Sequence, residues 1–193
     1  MDKIYVGIAS LPARKELLIR VVESVIGQCD ELLIALNGYK EVPQELAHPK
    51  IHCDLLDNSL KDSAKFYRVG QVSGWYVSWD DDLVAPPDAV SRLIEGSKRY
   101  NALVGFHGRI YTPPVTHFKR WAGNYRCLNT VGADVRVNFI GSGCTCFHTD
   151  RLKLDISDFK TAGKADVWLS KAATEQGVPM YVLAHKIGYI QYL

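Results

Sequence analysis

The sequence predicts an α/β fold with a mainly parallel central sheet flanked by helices. Short runs of β-branched and aromatic residues alternate along the chain with segments whose apolar residues recur at helical spacing. Such alternation is typical of strands joined by crossover helices. With 193 residues, 47% of them hydrophobic and 23% charged, the chain has an ordinary globular composition and suits one domain, 1–193. A disordered chain, a collagen-like repeat and a coiled coil are excluded.

Seven segments predict strands. Each is rich in β-branched, aromatic or aliphatic residues and is bounded by polar or turn-forming residues, as buried strands of an α/β sheet are. In chain order they are 3–9 (KIYVGIA), 31–37 (ELLIALN), 51–56 (IHCDLL), 74–79 (GWYVSW), 101–110 (NALVGFHGRI), 137–148 (VNFIGSGCTCFH) and 179–184 (PMYVLA). The sixth contains a Gly-Ser-Gly turn, so we expect strand pieces on either side of it.

Four segments predict helices, because their apolar residues recur at helical spacing or because helix-starting residues open them. In chain order they run from near Pro12 to about Gln28, over 60–72, from Pro86-Pro87 to about Tyr100, and over 164–176. The paired prolines Pro86-Pro87, with an aspartate in the first turn, favour the start of the third predicted helix. The stretch 111–136 has two prolines and no clean period, which predicts a long loop that is functional or mobile.

The sequence gives no sign of export or membrane insertion. No apolar run approaches the ~20 residues of a membrane span, and the N-terminus lacks the apolar core and cleavage site of a signal peptide. The cysteines are odd in number and scattered, which favours free thiols in a reducing, cytoplasmic compartment; they are Cys29, Cys53, Cys127, Cys144 and Cys146. No zinc motif and no Cys–His arrangement stands out among them.

The strongest chemical signal is Asp80-Asp81-Asp82, directly after the predicted strand 74–79. Three consecutive carboxylates are costly unless something cationic holds them. A hard divalent ion, Mn²⁺ or Mg²⁺, takes one or two protein carboxylates and lets substrate phosphates complete its shell. The alternative is a solvated acidic turn before the helix that follows.

Other predicted strand ends carry further candidate residues. Ser10 and Arg14 lie where the first strand runs into a helix N-terminus, a place suited to phosphate, although Arg14 could equally be an exposed first-turn residue. Asp57 and Lys65 follow the third strand, where the alternative is an ordinary helix start. Asp166 opens the last helix and is either a cap or a general base. No GxGxxG or P-loop motif supports a dinucleotide or P-loop site.

Six segments of the chain together carry a resemblance to a known family; in order they are IASLPARKELL, ELLIALNGY, DNSLKDSAKFY, WYVSWDDDLVAPPDAV, GSGCTCFHTD and ADVWLSKAATEQGVPMYVL. They resemble a GT-A-fold glycosyltransferase of the family 2 type, as found in bacterial polysaccharide and phage-associated proteins. The similarity covers nearly the whole chain. It implies the GT-A fold of nucleotide-diphospho-sugar transferases, a nucleotide-diphosphate sugar donor, often a UDP-sugar, and Mn²⁺ or Mg²⁺. Many relatives continue with further helices, so we expect a minimal, soluble member.

The resemblance also implies roles for particular residues. Asp80 and Asp82 would form the metal-binding D-x-D motif, with Asp80 also facing the donor and His185 as a further ligand, and Asp166 would deprotonate the acceptor hydroxyl. The implied donor-binding residues are Ala9, Ser10, Pro12, Arg14, Asp57, Lys65, Asp80, Asp81, Gly141, Ser142 and Gly143. The family's base motif often has two acids, whereas here Asp166 stands alone in ADVW.

The acceptor is the least defined partner. No acidic residue occurs from 96 to 133, where six basic and six aromatic residues fall. This mixture suits an anionic, stackable acceptor such as a glycan, a sugar-phosphate polymer or modified DNA, or alternatively a core strand followed by a solvated basic loop. Two other functions stay open: a nucleotidyltransferase, disfavoured because no Gly-rich phosphate loop follows the first strand, and a non-catalytic nucleotide-sugar-binding module.

Overall fold

The computed structural model describes residues 2–117 and 120–193 and shows an α/β protein. Runs of aliphatic and aromatic residues form strands throughout its length. In chain order the strands are β1 (Lys3–Ser10), β2 (Glu31–Asn37), β3 (Ile51–Leu56), β4 (Gly74–Asp80), β5 (Leu83–Val84), β6 (Leu103–Gly105), β7 (Gly108–Ile110), β8 (Gly123–Tyr125), β9 (Val135–Val137), β10 (Phe139–Ile140), β11 (Cys144–His148), β12 (Met180–Val182) and β13 (Gln191–Tyr192).

Three α-helices flank the main sheet: α1 (Lys15–Val25), α2 (Ala89–Tyr100) and α3 (Ala165–Glu175). Asn101 caps the C-terminus of α2 in the left-handed backbone conformation, and its amide donates to the last carbonyls of the helix. Asparagine is suited to this capping position. Among the described residues, no helix is long and apolar enough to cross a membrane.

The main sheet has eight strands in the order β3-β2-β1-β4-β11-β6-β12-β9. Pairings among β3, β2, β1 and β4 are parallel, as is that of β6 with β12, while β11 and β9 run antiparallel to their neighbours. The sheet is therefore mainly parallel, as expected from the alternation of strand and helix patterns.

The register brings the ends of several strands to one edge. Ala9 of β1 lies opposite both Ala35 of β2 and Asp80 of β4. β11 enters the sheet at this same edge, because its first residue, Cys144, pairs with Trp79. Ligands of α/β proteins bind at the carboxyl edge of the parallel strands, so this edge is where the site should lie.

The hydrophobic core lies on both faces of the sheet. On one face, α1 and α2 bury residues such as Leu18 and Leu93 against β1, β2 and β4. On the other, α3 buries Leu169 among aromatic residues that include Phe147 and Phe159. Successive strand residues point to opposite faces, which explains why the inner strands are apolar almost throughout.

Two predicted elements take a different form. The predicted strand 101–110 is split into β6 and β7, which lie in different sheets, since β7 pairs with β8 and β10. Close packing at Gly108, where a β-carbon would lie 2.6 Å from Val182 Cγ2, accompanies the bend. The predicted helix 60–72 is two 3₁₀ segments, Lys61–Phe66 and Val69–Gln71. The Lys65 carbonyl accepts a hydrogen bond from the Tyr76 hydroxyl at 2.6 Å instead of taking part in an α-helical hydrogen bond.

The predicted loop 111–136 contains regular structure. It includes β8, and Val131 forms a backbone bridge with His185. Two of its residues, Phe118 and Lys119, lie outside the described residues. The small sheet that pairs β5 with β13 was not predicted, because two-residue strands carry no periodic signal.

Candidate functional site

A polar cleft of about 280 Å³ opens at the carboxyl edge of the main sheet. Its walls come from the ends of β1, β2 and β4 and from the 3₁₀ segment after β3. Six of the expected donor-binding residues line it: Ala9, Ser10, Arg14, Lys65, Asp80 and Asp81. The structure thus brings together, in one cavity, residues that are up to 72 positions apart, from Ala9 to Asp81.

Asp81 is held at the base of the cleft by an arginine and a serine. Its side chain is 4% exposed; Ser10 Oγ donates to Oδ2 at 2.6 Å and Arg14 Nη1 to Oδ1 at 2.6 Å. Burial raises the pKa of Asp81 above its ordinary value, although Ser10 and Arg14 both oppose the shift. Arg14 Nη2 also contacts Asp82 Oδ2 at 2.9 Å, so one guanidinium bridges two carboxylates.

Lys65 supplies a buried positive charge in the cleft. The residue is 4% exposed, and its ammonium donates to Asp80 Oδ1. Burial alone would lower the pKa of Lys65, yet attraction to Asp80, and more weakly to Asp166 and Asp62, raises it above its ordinary value. The ammonium therefore contacts Asp80 and is attracted, without a direct contact, by Asp166 and Asp62.

The Gly141–Gly143 turn joins the acidic triplet to the candidate base. The amide and hydroxyl of Ser142 both donate to Asp166 Oδ1, each at 2.7 Å. The carbonyl of Gly143 accepts the Asp80 amide at 2.8 Å. A β-carbon at Gly143 would lie 2.1 Å from Asp80 Oδ2, so this close approach requires glycine. Asp166, Ser142, Gly143 and Asp80 thus form one continuous wall.

The acidic triplet leaves carboxylate oxygens that could hold a divalent cation together with substrate. Among the described residues, no group of three or more His, Cys, Asp or Glu forms a ready metal site. Both Asp81 oxygens accept hydrogen bonds, from Ser10 and Arg14. Asp80 and Asp82 each direct only one oxygen at a basic side chain of the protein. Two carboxylates with one oxygen to spare match the one or two protein ligands of Mg²⁺ or Mn²⁺ in phosphate sites.

Two of the expected donor-binding residues, Pro12 and Asp57, do not line the cleft, and neither does the expected metal ligand Asp82, although Arg14 links Asp82 to Asp81. Pro12 is exposed, and Leu11 and Arg14 line the cleft in its place. Asp57 is exposed and accepts the Ser59 amide, which lowers its pKa.

His185 is also held apart from a metal-binding role. It is 5% exposed, and its ring nitrogens face backbone carbonyls, Nδ1 that of Leu183 at 2.7 Å and Nε2 that of Arg126 at 3.3 Å. Because both ring nitrogens face backbone carbonyls, neither is directed at a cation, and the expectation of His185 as a ligand does not fit this arrangement.

Two cleft residues that the sequence analysis did not single out carry unsatisfied acceptors. Asn37 donates to the Lys61 carbonyl, and Asp62 accepts the Ala165 amide, but Oδ1 of each is buried with no partner within the described residues. A bound molecule with N–H or O–H groups would satisfy such acceptors. Asn37 ends β2, so its polar side chain at a strand end is the signal in the sequence that could have identified it.

No family model matches this chain, and neither does any curated protein. Its class is therefore defined by the structure itself, as an α/β protein with a large mixed sheet flanked by helices. A charged cleft lies at the carboxyl edge of that sheet.

Proposed function

We propose that this protein is a metal-dependent, inverting glycosyltransferase with the GT-A fold. It would transfer a sugar, as hexosyltransferases do, from a nucleotide-diphosphate donor such as a UDP-sugar to an acceptor hydroxyl. One observation carries the proposal. The cleft that collects Ser10, Lys65 and Asp80 shares a wall with Asp166, so a donor and a base would meet there. The mainly parallel sheet and the resemblance in the sequence support the same class.

The residues of the cleft divide the work of donor binding. Asp80 and Asp82 would hold Mn²⁺ or Mg²⁺, which as a Lewis acid offsets charge that develops on the leaving diphosphate. Lys65 and Arg14 bring two positive charges to the same cavity and orient the three aspartates through ion pairs. Asn37 and Asp62 offer acceptors to donor N–H or O–H groups.

The hydrogen bonds of Asp166 support its role as the general base in this proposal. Both hydrogen bonds from Ser142 reach Oδ1, which fixes the carboxylate and leaves Oδ2 without a partner among the described residues. In our proposal Oδ2 takes the acceptor proton while the hydroxyl attacks the anomeric carbon from the face opposite the diphosphate. A single displacement of this kind inverts the anomeric configuration.

A second cavity supports an acceptor on the far side of Asp166. It measures about 410 Å³ and lies between α3 and the segment that follows β7. Tyr111, Val115, Phe139 and Val167 give it an apolar lining, and Val167 directly follows Asp166 in α3. Rings of this kind can stack on a sugar face or a base, which agrees with an acceptor drawn from glycans, sugar-phosphate polymers or modified DNA.

Calorimetric titration with UDP, GDP, CDP and dTDP, each with Mn²⁺ and with a chelator, tests the donor site. We expect one diphosphate to bind, and only with the metal. Asp82→Asn should abolish that binding, whereas Asp150→Asn, at an exposed carboxylate outside the cleft, should preserve it. Equal binding of the diphosphate with Mn²⁺ and with chelator would contradict the metal assignment.

Turnover tests the base. Asp166→Asn should leave diphosphate binding intact and slow the release of UDP from a UDP-sugar, in the presence of acceptor hydroxyls, by about 10² or more. Near-normal turnover would exclude Asp166 as the base. Binding without turnover in the wild-type protein would identify a non-catalytic module, and binding of a nucleoside triphosphate alone would favour a nucleotidyltransferase.

A further inference from the structure

A strip of aromatic side chains extends from the second cavity onto the small sheet formed by β10, β7 and β8. Tyr111 and Phe139, which line the cavity, meet edge to face with ring centres 5.5 Å apart. The Arg109 guanidinium lies 5.8 Å from the centre of the Phe139 ring and 5.2 Å from that of Trp121. Trp121 is 38% exposed, so it offers a ring to solvent. We call Tyr111, Phe139, Arg109 and Trp121 the aromatic strip.

Hydrogen bonds and strand pairing hold the aromatic strip in place. The Asn138 side chain accepts the Tyr111 amide at 2.8 Å and donates to the Tyr111 carbonyl at 2.7 Å. Arg109 lies directly opposite Phe139 in the pairing of β7 with β10, and its Nε donates to Asn124 Oδ1 at 3.3 Å. Residues directly opposite each other on antiparallel strands share a face of the sheet. A ligand therefore meets a surface that is already ordered, which lowers the cost of binding.

The second cavity can take a flat, apolar group close to Asp166. Its volume of about 410 Å³ falls within the range of small-molecule pockets, ~300–1,000 Å³. Val115 and Val167, which are 56% and 43% exposed, form part of its lining. Contiguous apolar surface that is open to solvent is typical of binding sites. Val167 directly follows Asp166 in α3, so a group bound here lies near the proposed base.

Basic side chains lie at two borders of the second cavity. Arg120 is exposed and directly precedes Trp121 of the aromatic strip. Lys164 is exposed, forms no ion pair among the described residues, and accepts the amide of Val167 on its carbonyl at 3.0 Å. The carboxylate of Glu175, which also lines the cavity, is paired with Lys171. These surroundings suit a polymer that carries repeated negative charge.

We propose that the acceptor is a single-stranded nucleic acid. One base enters the second cavity, and a neighbouring base stacks on Trp121. The phosphates lie against Arg109, Arg120 and Lys164. The role as acceptor rests on the proposed function: a hydroxyl on the bound base gives its proton to Asp166, its oxygen bonds to the anomeric carbon, and the bond from that carbon to the diphosphate breaks. The binding of the strand does not depend on that chemistry.

The lining of the second cavity favours a base over a sugar ring. A glycan or a sugar-phosphate polymer surrounds each ring with hydroxyls that need hydrogen-bonding partners. The hydroxyls of Ser170 and Thr174, which line the cavity, already donate to backbone carbonyls. Much of the remaining lining offers carbon surface, from Tyr111, Pro113, Val115, Phe139 and Val167. A base has two flat faces, and stacking on aromatic rings holds bases in proteins that bind single strands.

Fluorescence anisotropy with a fluorescein-labelled oligothymidylate of about ten nucleotides tests the binding, without donor or metal. The matched ligand is an oligomer of the same length built from abasic nucleotides, which is itself a sugar-phosphate polymer. We expect the oligothymidylate to bind about tenfold tighter or more, since base stacking contributes at least about that factor. Three phosphate contacts predict that log K falls with log salt concentration at a slope of about −2. Equal affinity of the two oligomers would overturn the proposal.

Substitutions separate the contribution of stacking from that of charge. Trp121→Ala should weaken binding of the oligothymidylate about tenfold and leave that of the abasic oligomer nearly unchanged, while Trp121→Phe should restore most of the affinity. Arg120→Gln should reduce the salt slope by about 0.7. Arg20→Gln, at an exposed arginine of α1 on the opposite face of the main sheet, is the matched control and should not change the slope. Wild-type affinity of Trp121→Ala, with unchanged circular dichroism, would refute the stacking role.

This proposal and the proposed function can fail separately. The diphosphate titration decides the donor site, and the anisotropy measurement contains no donor. Binding of oligothymidylate without binding of any diphosphate would remove the glycosyltransferase and leave the nucleic-acid site. Binding of a diphosphate without binding of oligothymidylate would keep the donor site, overturn the nucleic-acid acceptor and favour a glycan.

Discussion

Replacing Arg14 with methionine should destabilise the protein in a pH-dependent way. The substitution removes two ion pairs, at 2.6 Å to Asp81 and 2.9 Å to Asp82, and leaves the buried Asp81 carboxylate with Ser10 alone. Breaking a buried ion pair costs about 3–5 kcal/mol. Because the Arg14 side chain is 40% exposed and partly solvated, we expect about 2–3 kcal/mol at pH 7.

The pH dependence follows from Asp81. Burial already holds its pKa above the ordinary value, and loss of Arg14 raises it further. The folded state then binds this proton more tightly than the unfolded state, so stability from this group is present at low pH and lost as pH rises through the folded pKa. The deficit of Arg14→Met should therefore be larger at pH 7 than at pH 4, because protonation of Asp81 removes the unpaired buried charge as the pH falls.

Urea denaturation of wild type and variant at both pH values measures the effect. Arg20→Met, at an exposed arginine of α1 without an ion pair among the described residues, is the matched control and should change stability by no more than about 0.5 kcal/mol. Adding Asp81→Asn to Arg14→Met should recover about 1 kcal/mol or more, since no buried charge is then left unpaired. A deficit under about 0.5 kcal/mol at pH 7, or an equal deficit at pH 4, would refute the reasoning.

Three further substitutions test the packing around the cleft by chemical denaturation. Gly7→Ala should cost about 1–3 kcal/mol, because the new β-carbon would lie 2.2 Å from the Lys65 carbonyl oxygen; wild-type stability would show that this segment can shift freely. Tyr76→Phe should cost about 1 kcal/mol by removing the hydroxyl that donates to the same carbonyl, and an unchanged midpoint would argue against that bond. Asp155→Ala should cost about 1 kcal/mol by removing the cap on the Ser157 amide; a neutral result would show that water replaces it.

The sequence was informative wherever a local pattern determines the structure. The strands 31–37 and 51–56 were predicted with the bounds observed, because each is a short segment rich in aliphatic residues between polar turns. Since parallel strands end at one edge, the same logic predicted that Ser10, Lys65 and Asp80 would meet, and they line one cleft. The GT-A assignment and the roles of these residues stay predictions.

What escaped prediction depends on pairings between distant residues. The contact of Cys127 with His107 arises from the path of β6, β7 and β8, which no periodicity reveals. His185 was expected at a cation, but its two ring nitrogens face the backbone carbonyls of the nearby Leu183 and the distant Arg126. The bridging of Asp81 and Asp82 by Arg14 likewise requires knowledge of how the end of β1 lies against the end of β4.

The antiparallel direction of β11 determines where this protein can vary in sequence and length. Gly105 at the end of β6 lies directly opposite Thr145 of β11, so both ends of the intervening segment 106–143 are fixed side by side, as in a very long hairpin. Part of this segment is itself fixed, because β9 pairs with β12 at the edge of the main sheet and Ser142 binds Asp166. An insertion between β7 and β8 touches neither of these pairings and would leave the register of β4, β6 and β11 unchanged. The connection from β7 to β8 is accordingly the natural place to graft a different recognition segment while the cleft stays intact.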